Sequence, residues 1–374
     1  KIHEGGKRGF LISVDPDREV EQGYPCEATF KFGFVPFSET GWSKYDFILD
    51  DEQMSLLEII IVNDGSKDNS IRIAMNYAQR FPDTFVVIDK ENGNYGSCVN
   101  VGLHKATGRY FRILDADDSY QTAEFSSFVS SLDKLDVDLV ITPFVMKESD
   151  GMKEMNLSES ISLGREYTID ELSESDFLLH MHSMTFATSM LKDSKLALSE
   201  GVSYSDTEFC FFPMQHVRKI AYLDNMVYLY NACRAGQTMS VASQIRSTYS
   251  MNVVANRLLD YFCENRNVSN TISSLWKRLI IRISEIYYRT ALLYCKKSDE
   301  ISEPLRLFDK KIQLTTEFDE YLSQLCVHHI HFVAMWRRNG RFYSSRACQI
   351  HDIIWDKLDP IWLAYLRKYH PSRL

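Results

Sequence analysis

Two aspartates, Asp115 and Asp117, stand two residues apart at the end of a short apolar run, residues 110–114. Carboxylates with this spacing in an extended loop can reach one hard divalent cation and a diphosphate that the cation bridges. Asp118 adds a third negative charge. An isolated pair of this kind is more often a solvated acidic turn, so its placement in the fold must decide between the two.

A glycine-rich loop, residues 92–97, precedes a helical pattern that contains Asn100. Gly93 and Gly96 let the backbone approach a ligand closely, and the N-terminus of a helix favours negative charge. The loop is neither a dinucleotide fingerprint nor a Walker loop, because G-x-G-x-x-G and Gly-Lys-Ser/Thr are both absent from it. A phosphate site and an ordinary turn between strand and helix both remain open.

The elements that must position these residues alternate between strand and helix. The predicted strands are residues 30–36, 57–62, 85–88, 110–114 and 137–142, and the predicted helices between them are residues 71–81, 97–106 and 123–135. This order predicts the α/β class, with a mostly parallel sheet and helices on both faces. Ligands of such sheets bind at the carboxyl ends of the strands, where Asp64, the glycine-rich loop and Asp115 are expected to meet.

The rest of the chain is read more coarsely. Residues 1–29 show no clear periodicity and stay unassigned, and residues 146–240 are mixed. Further helical patterns cover residues 249–263, 271–295, 317–336 and 346–366.

Composition sets the limits of the interpretation. The 374 residues are 45% hydrophobic, which predicts two or three packed units rather than a disordered chain. A net charge of −9 disfavours nucleic-acid binding through a globally basic surface, although residues 335–374 carry eight basic and three acidic side chains. Eight cysteines without a C-x-x-C pair favour a reducing cytoplasm over a zinc module or a disulfide framework. We also expect no apolar signal segment and no membrane-spanning helix.

Three motifs, in order, resemble those of the family 2 glycosyltransferases. They are residues 62–70 around Asn-Asp-Gly-Ser, residues 91–102 around the glycine-rich loop, and residues 106–118 ending in Asp-Ala-Asp-Asp. The resemblance covers about residues 30–240, and the motifs are specific only jointly. It implies a GT-A (Rossmann-like) fold, a nucleotide-sugar donor, usually a uridine diphosphate (UDP) sugar, and inversion at the anomeric carbon by one displacement.

The resemblance also implies roles for single residues. Asp64 would hold the nucleoside, and Asp115 the ribose or sugar of the donor. Asp117, together with Asp115, would bind Mn²⁺ or Mg²⁺ on the diphosphate. Gly93 and Asn100 would belong to the donor-binding loop.

A single displacement needs a base for the acceptor hydroxyl, and residues 204–209 resemble the acidic motif in which the family carries it. Asp206 is the predicted base and Glu208 the second candidate. Many relatives have Glu-Asp where this chain has Ser205 followed by Asp206. The alternative is that Asp206 only caps a helix beginning at Thr207.

Four further residues are candidates. Arg234 and Gln237 lie in a segment that resembles the one closing over the donor diphosphate, and a guanidinium suits phosphate. His180 and His182 could face an acceptor or contact the metal or diphosphate, although such histidines are more often structural. The opening strand, residues 30–36, lacks the Tyr-Asn pair that relatives carry after its proline, so base recognition there is open.

The resemblance divides the chain by function. Residues 30–145 would bind the nucleotide sugar, residues 146–240 would bind the acceptor and supply the base, and residues 241–374 would form a helical domain. That domain carries Trp355 and Trp362 among basic residues, and either a membrane surface or protein packing, on the catalytic domain or a second subunit, would suit it.

The sequence thus predicts a cytoplasmic, metal-dependent glycosyltransferase of cell-surface polysaccharide synthesis that acts on a glycan or lipid-linked acceptor. Peripheral attachment to the inner face of the cell membrane and a homo-oligomer are left open. A sugar nucleotidyltransferase and a noncatalytic scaffold or partner subunit are the competing hypotheses.

Overall fold

A computed structural model describes residues 8–14, 31–32, 56–148, 151–232, 240–327 and 330–342. The chain divides into two compact units. The first comprises Lys1–Gln237 and Asp260–Leu279, and the second comprises Thr238–Leu259 and Ile280–Leu374. Each unit is described by itself.

The first unit contains two sheets and their flanking helices. Its strands are β1 (Arg8–Val14), β2 (Lys31–Phe32), β3 (Leu57–Asp64), β4 (Phe85–Lys90), β5 (Tyr110–Asp115), β6 (Ser119–Tyr120), β7 (Leu139–Ile141), β8 (Phe144–Glu148), β9 (Gly151–Met155), β10 (Glu166–Thr168), β11 (Met184–Ala187), β12 (Lys219–Tyr222) and β13 (Tyr228–Asn231). Its helices are α1 (Ser70–Arg80), α2 (Asn94–Lys105), α3 (Thr122–Leu132), α4 (Thr188–Asp193) and α5 (Ser205–Phe211). Single 3₁₀ turns occupy Ile169–Glu171, Glu174–Asp176, Met181–Ser183 and Phe212–His216.

The larger sheet has the strand order β10-β12-β7-β11-β5-β1-β3-β4. Strands β4, β3, β1 and β5 run parallel to one another. Strand β11 is antiparallel to both β5 and β7, whereas β12 pairs parallel with β7. This arrangement confirms the predicted α/β class, and it brings the carboxyl ends of β3, β4 and β5 to one edge.

Strand β3 shows why the apolar run is a reliable signal. Every residue from Leu57 to Asp64 is buried, as expected for a strand covered on both faces. Glu58 is one of two charged residues in this buried strand, and its carboxylate accepts hydrogen bonds from the backbone N–H groups of Thr107 (2.7 Å) and Gly108 (3.0 Å). These bonds fix the turn that leads into β5.

The smaller sheet has the order β2-β6-β13-β8-β9. Strand β13 pairs antiparallel with β6 and parallel with β8. Because β6 begins four residues after β5 ends, this sheet carries the tyrosines of β13 to the end of β5.

The prediction of the opening strand at residues 30–36 was wrong. The strand that lies between β3 and β5 is β1, within residues 1–29, and Lys31–Phe32 pairs instead with β6 in the smaller sheet. A signal was present, since residues 10–14 form an apolar run that stops at Asp15 and Pro16. Residues 33–36, including the proline of the family comparison, lie outside the described residues.

The second unit is mainly helical. The helices of this half of the chain are α6 (Val241–Arg246), α7 (Thr248–Glu264), α8 (Asn270–Arg289), α9 (Asp299–Gln313), α10 (Thr316–Leu322) and α11 (Phe332–Asn339), with a π turn at Thr290–Tyr294 and a hairpin of β14 (Cys326–Val327) and β15 (Ile330–His331). Helices α7 and α8 contribute residues to both units.

A buried ion pair joins three helices of the second unit. Asp309 on α9 is 4% exposed and accepts hydrogen bonds from Tyr288 Oη (2.5 Å) and from Arg337 Nε (3.0 Å) and Nη2 (2.8 Å). Arg337 on α11 also lies 2.7 Å from Asp319 on α10. The two carboxylates compensate the buried guanidinium charge.

The helical predictions for this region were partly wrong. The continuous helix expected over residues 317–336 is interrupted by the β14–β15 hairpin, whose Val327 and Ile330 favour strand, and α9 was not predicted. The helix expected at residues 346–366, with Trp355 and Trp362, lies outside the described residues. Among the described helices, none combines the length and the apolar character that a bilayer crossing requires.

Candidate active site

Asp64 ends β3 and is 1% exposed. Its Oδ1 accepts hydrogen bonds from Lys90 Nζ (2.5 Å) and from the backbone N–H of Gly93 (3.0 Å). Its Oδ2 is buried and has no hydrogen-bond partner within the described part of the chain. Buried carboxylate oxygens are normally satisfied, so Oδ2 indicates a position where a ligand would donate a hydrogen bond.

Lys90 is a site residue that the sequence motifs do not single out. It ends β4, and besides Asp64 its Nζ contacts Ser97 Oγ (2.8 Å) and the carbonyl oxygen of Glu91 (2.5 Å). Lys90 therefore ties together the ends of β3 and β4 and the first turn of α2. Its position at a strand end next to Asp64 was the signal that could have identified it.

At Gly93 the glycine-rich loop packs tightly against other atoms of the protein. A Cβ at Gly93 would lie 2.5 Å from Ser97 Oγ, and the Gly93 carbonyl oxygen accepts a hydrogen bond from the N–H of Gly201 (2.7 Å). Helix α2 then begins at Asn94, whose φ of 63° is left-handed. Gly93 is thus required by the close approach of protein atoms, whatever ligand the loop binds.

A second close approach joins α2 to the segment that precedes α5. A Cβ on Gly96 would lie 3.0 Å from the carbonyl carbon of Ser199 and closer still to its oxygen. Asn100 was predicted to contact the donor, and its side-chain amide forms hydrogen bonds with this segment. Its Nδ2 donates to the Leu198 carbonyl oxygen (2.9 Å) and to Glu200 Oε1 (2.9 Å), and its Oδ1 accepts from the Leu198 N–H (2.8 Å).

The two candidate bases on α5 have different surroundings. Glu208 is fully buried, and its carboxylate accepts hydrogen bonds from the Ser199 N–H (2.6 Å) and Oγ (2.7 Å). Asp206 is exposed. Helix α5 follows Tyr204, whose φ of 67° is left-handed. The structure therefore buries Glu208 against Ser199 and leaves Asp206 accessible to solvent.

An acidic group lies at the end of β5. One carboxylate oxygen each of Asp115 and Asp118 and one imidazole nitrogen of His182 lie within 4.8 Å of one another. Asp118 is buried and also accepts hydrogen bonds from Tyr228 Oη (2.6 Å) and the Asn231 N–H (2.8 Å). Asp117, the predicted ligand, is half-buried and is not part of this group among the described residues.

Aromatic rings hold His182 in place. Its imidazole stacks on Tyr230 with ring centroids 4.5 Å apart, and it meets the edge of Tyr228 at 4.7 Å. The buried guanidinium of Arg112 on β5 donates a hydrogen bond to the His182 carbonyl oxygen. His180, the other candidate histidine, packs against Phe144 at 5.4 Å.

The carboxylates at the end of β5 and on α5 all raise the pKa of one tyrosine, Tyr230. Burial first, and then the negative charges of Asp118, Asp117, Asp115 and Asp206, raise the pKa of Tyr230 to about 12. Because such charge effects weaken with distance, the predicted metal ligands and the predicted base all act on this half-buried tyrosine.

Two predicted contacts cannot be placed. Arg234 and Gln237 lie outside the described residues, which stop at residue 232 and resume at residue 240.

Part of the chain is similar in sequence to one family of known proteins. Residues 48–194 match the sequence profile of Glycosyl transferase family 2. An uncharacterized glycosyltransferase of Rickettsia prowazekii is 32% identical over 190 residues, which are 50% of this chain and 58% of that protein. The minor teichoic acid biosynthesis protein GgaB of Bacillus subtilis is 36% identical over 111 residues, 29% of this chain and 12% of that protein. The chain thus spans little more than half of the first relative and a small part of the second.

A solved structure supports the fold. The crystal structure of S. aureus TarS, residues 1–349, matches with a TM-score of 0.51 and 14% sequence identity, over 90% of this chain and 93% of that chain. Residues 48–194 thus resemble the family 2 glycosyltransferases in sequence, and the strand order together with this structural similarity shows the GT-A fold.

Proposed function

We propose that this protein transfers a sugar from a nucleotide-sugar donor, in the first place a UDP sugar, to a glycan or lipid-linked acceptor with inversion at the anomeric carbon. The observation that carries the proposal is the group of Asp115, Asp118 and His182 at the end of β5, and the raised pKa of Tyr230, to which these acids and Asp206 contribute, supports it. An inverting transfer needs a diphosphate site and a carboxylate base on opposite sides of one sugar.

The nucleoside end of the donor is assigned to Asp64. Its unpartnered Oδ2 accepts a hydrogen bond from a ribose hydroxyl or a base N–H group. Lys90, which already contacts Oδ1, compensates the charge of this carboxylate and fixes its orientation.

The donor set at the end of β5 fits a divalent cation. Asp115 and His182 would hold it, completed by Asp118 or by the sequence-predicted Asp117. Because an imidazole nitrogen suits Mn²⁺ better than Mg²⁺, we expect manganese to be preferred. When bound, the cation supplies charge neutralisation for the departing nucleoside diphosphate.

Asp206 is assigned the role of base. Its carboxylate accepts the proton of the acceptor hydroxyl while that oxygen forms its bond to the anomeric carbon and the bond to the diphosphate oxygen breaks. Glu208 is less suited to this role, because each of its oxygens already accepts a hydrogen bond from Ser199.

The acceptor class rests on the relatives. GgaB is named for teichoic acid biosynthesis, which supports a cell-surface glycan as acceptor here. Cytoplasmic location, peripheral membrane attachment and self-association through the C-terminal helices stay predictions from the sequence.

The test is a panel of UDP and GDP sugars with Mn²⁺, read as nucleoside diphosphate released. We expect turnover of at least one donor by the wild type, and a loss of about 10²-fold or more in D206N with donor binding retained. E154Q, which changes an exposed carboxylate on edge strand β9, is the matched control and should match the wild type. Absence of both binding and turnover for every donor would refute the proposal.

The metal ligands are tested separately by Mn²⁺ titration of D117N and D118N. The variant that loses Mn²⁺ affinity identifies the second carboxylate ligand. Unchanged affinity in both variants and in D115N would contradict a cation site at the end of β5.

A further inference from the structure

Tyr95 has a buried hydroxyl that the proposed function does not use. The Oη atom is inaccessible to solvent and has no hydrogen-bond partner among the residues that the structure describes. Buried hydroxyl groups are nearly always hydrogen-bonded, and each exception calls for an explanation, such as a bound water, ion or ligand.

The backbone fixes the position of Tyr95. It is the second residue of α2, between Asn94 with its left-handed φ of 63° and Gly96, which packs against the Ser199 carbonyl group. Left-handed backbone at a non-glycine residue costs energy and persists where the surroundings impose it. The tyrosine is therefore held at the contact between the donor-binding loop and the segment leading to α5.

Burial and neighbouring negative charges both affect the pKa of the Tyr95 hydroxyl. Burial is the main cause that raises the pKa of this hydroxyl well above its ordinary value, followed by the negative charges of Asp115 and Asp206. The hydroxyl thus stays protonated, in keeping with its burial at the contact between α2 and the segment before α5.

A second unpartnered hydroxyl lies at the same contact. Ser205 Oγ is buried, no described residue hydrogen-bonds it, and a Cβ on Gly96 would lie 3.1 Å from it. Hydroxyl groups from both α2 and α5 therefore lack partners where the two helices meet. A polyhydroxylated ligand offers both donors and acceptors to such groups.

If the proposed function holds, the group that lies between the diphosphate and the base is the sugar in transit. We propose that the Tyr95 hydroxyl hydrogen-bonds a ring hydroxyl of this sugar and so selects among donors. Asp64 recognises the nucleoside, whereas Tyr95 reads the sugar.

The direct test is Y95F, which removes one oxygen atom and keeps the ring. We expect kcat/KM for the preferred donor to fall about tenfold, as for the loss of one hydrogen bond, while affinity for the free nucleoside diphosphate changes less than about twofold. The Tm in the absence of ligand should stay equal or rise, because the variant removes a buried hydroxyl that lacks a partner.

T188V is the matched control. Thr188 on α4 also carries a buried hydroxyl without a partner, and its N–H bonds to the Arg109 carbonyl oxygen at the start of β5, opposite the cleft. T188V should behave like Y95F in its Tm and like the wild type in its kinetics.

A substrate-side measurement does not depend on the stability of any variant. Deoxy analogues of the donor sugar should each be tested on the wild type and on Y95F. The analogue that lacks the bonded hydroxyl should lose about tenfold on the wild type and little on Y95F.

The outcomes separate the two claims. An active wild type with equal kcat/KM in Y95F, or equal losses for all deoxy analogues in both proteins, overturns the role of Tyr95 alone. Weaker nucleoside diphosphate binding or a lower Tm in Y95F assigns the hydroxyl to structure and also overturns it. A wild type that neither binds nor turns over any donor overturns the proposed function, and this inference with it.

Discussion

The contact between α2 and the segment before α5 gives a quantitative prediction. In G96A, the new Cβ would lie 3.0 Å from the Ser199 carbonyl carbon and closer to its oxygen, nearer than real Cβ atoms approach a neighbour. Because both partners are backbone, the segment carrying Ser199 must move away from α2. Glu208 is hydrogen-bonded to Ser199, so the movement is transmitted to α5 and Asp206.

The magnitude follows from two opposing contributions to stability. Alanine gains at most about 1 kcal/mol over glycine in a helix, whereas overpacking costs about 1–3 kcal/mol. The net loss of about 0–2 kcal/mol lowers the Tm by only a few degrees. Displacement of a reacting group by ~1 Å can cost ~10²-fold in rate, so kcat should fall far more than stability.

The assay compares kcat, donor KM and Tm for G96A with those of G164A. Gly164 has a φ of 74°, and no atom lies within 4 Å of the position that a Cβ would take there. Alanine at this position, beside the edge strand β10, therefore strains the backbone without a clash. G164A should lose stability by about 1 kcal/mol and keep its kinetics. A kcat for G96A within about twofold of wild type would refute the reasoning, since it would mean that Asp206 had not moved.

Three further predictions concern other parts of the molecule. R337M leaves Asp309 buried without its main cation and should destabilise the second unit by about 3–5 kcal/mol, measured by urea unfolding. E208A leaves the Ser199 N–H and hydroxyl without their acceptor and should cost about 1–3 kcal/mol, with a lower Tm. Burial, assisted by the neighbouring Asp64 charge, raises the pKa of Cys98 to about 12, so iodoacetamide at about pH 8 should label exposed Cys263 and leave Cys98 unmodified in peptide mass spectra.

Each of these has a clear contrary result. Unfolding of R337M at the wild-type midpoint would contradict the stabilising role of the Arg337–Asp309 pair, and an unchanged Tm in E208A would contradict that of the Glu208–Ser199 bonds. Rapid labelling of Cys98 in the folded protein would contradict its burial and raised pKa.

The parts of the fold that were predicted correctly are those in which the local residue pattern alone indicates the strand or helix. The mainly apolar runs that form β3, β4 and β5 stop at turn-forming or charged residues, and the structure places their ends within two residues of the prediction. Strand β1 was missed because its apolar run is short and adjoins charged residues. The hairpin within residues 317–336 was missed because helical spacing continues across it.

The site residues were predictable where an acidic residue directly follows a predicted strand. They were less predictable where contacts between distant segments determine the position of a side chain. Asp64 and Asp115 follow apolar runs, and the parallel strands carry them to one edge. Asn100 and Glu208 are polar residues in the right motifs, yet their side chains hold the segment 198–200, which no local pattern indicates. The grouping of His182 with Asp115 likewise depends on β11, whose place in the sheet was not predicted.

The most direct measurement is calorimetric titration of wild type, D115N and D206N with a UDP sugar in the presence and absence of Mn²⁺, alongside turnover of the same donor. We expect Mn²⁺-dependent binding by the wild type, loss of that dependence in D115N, and normal binding without transfer in D206N. Full transfer by D206N, or unchanged Mn²⁺-dependent binding by D115N, would contradict the proposed roles of Asp206 and Asp115.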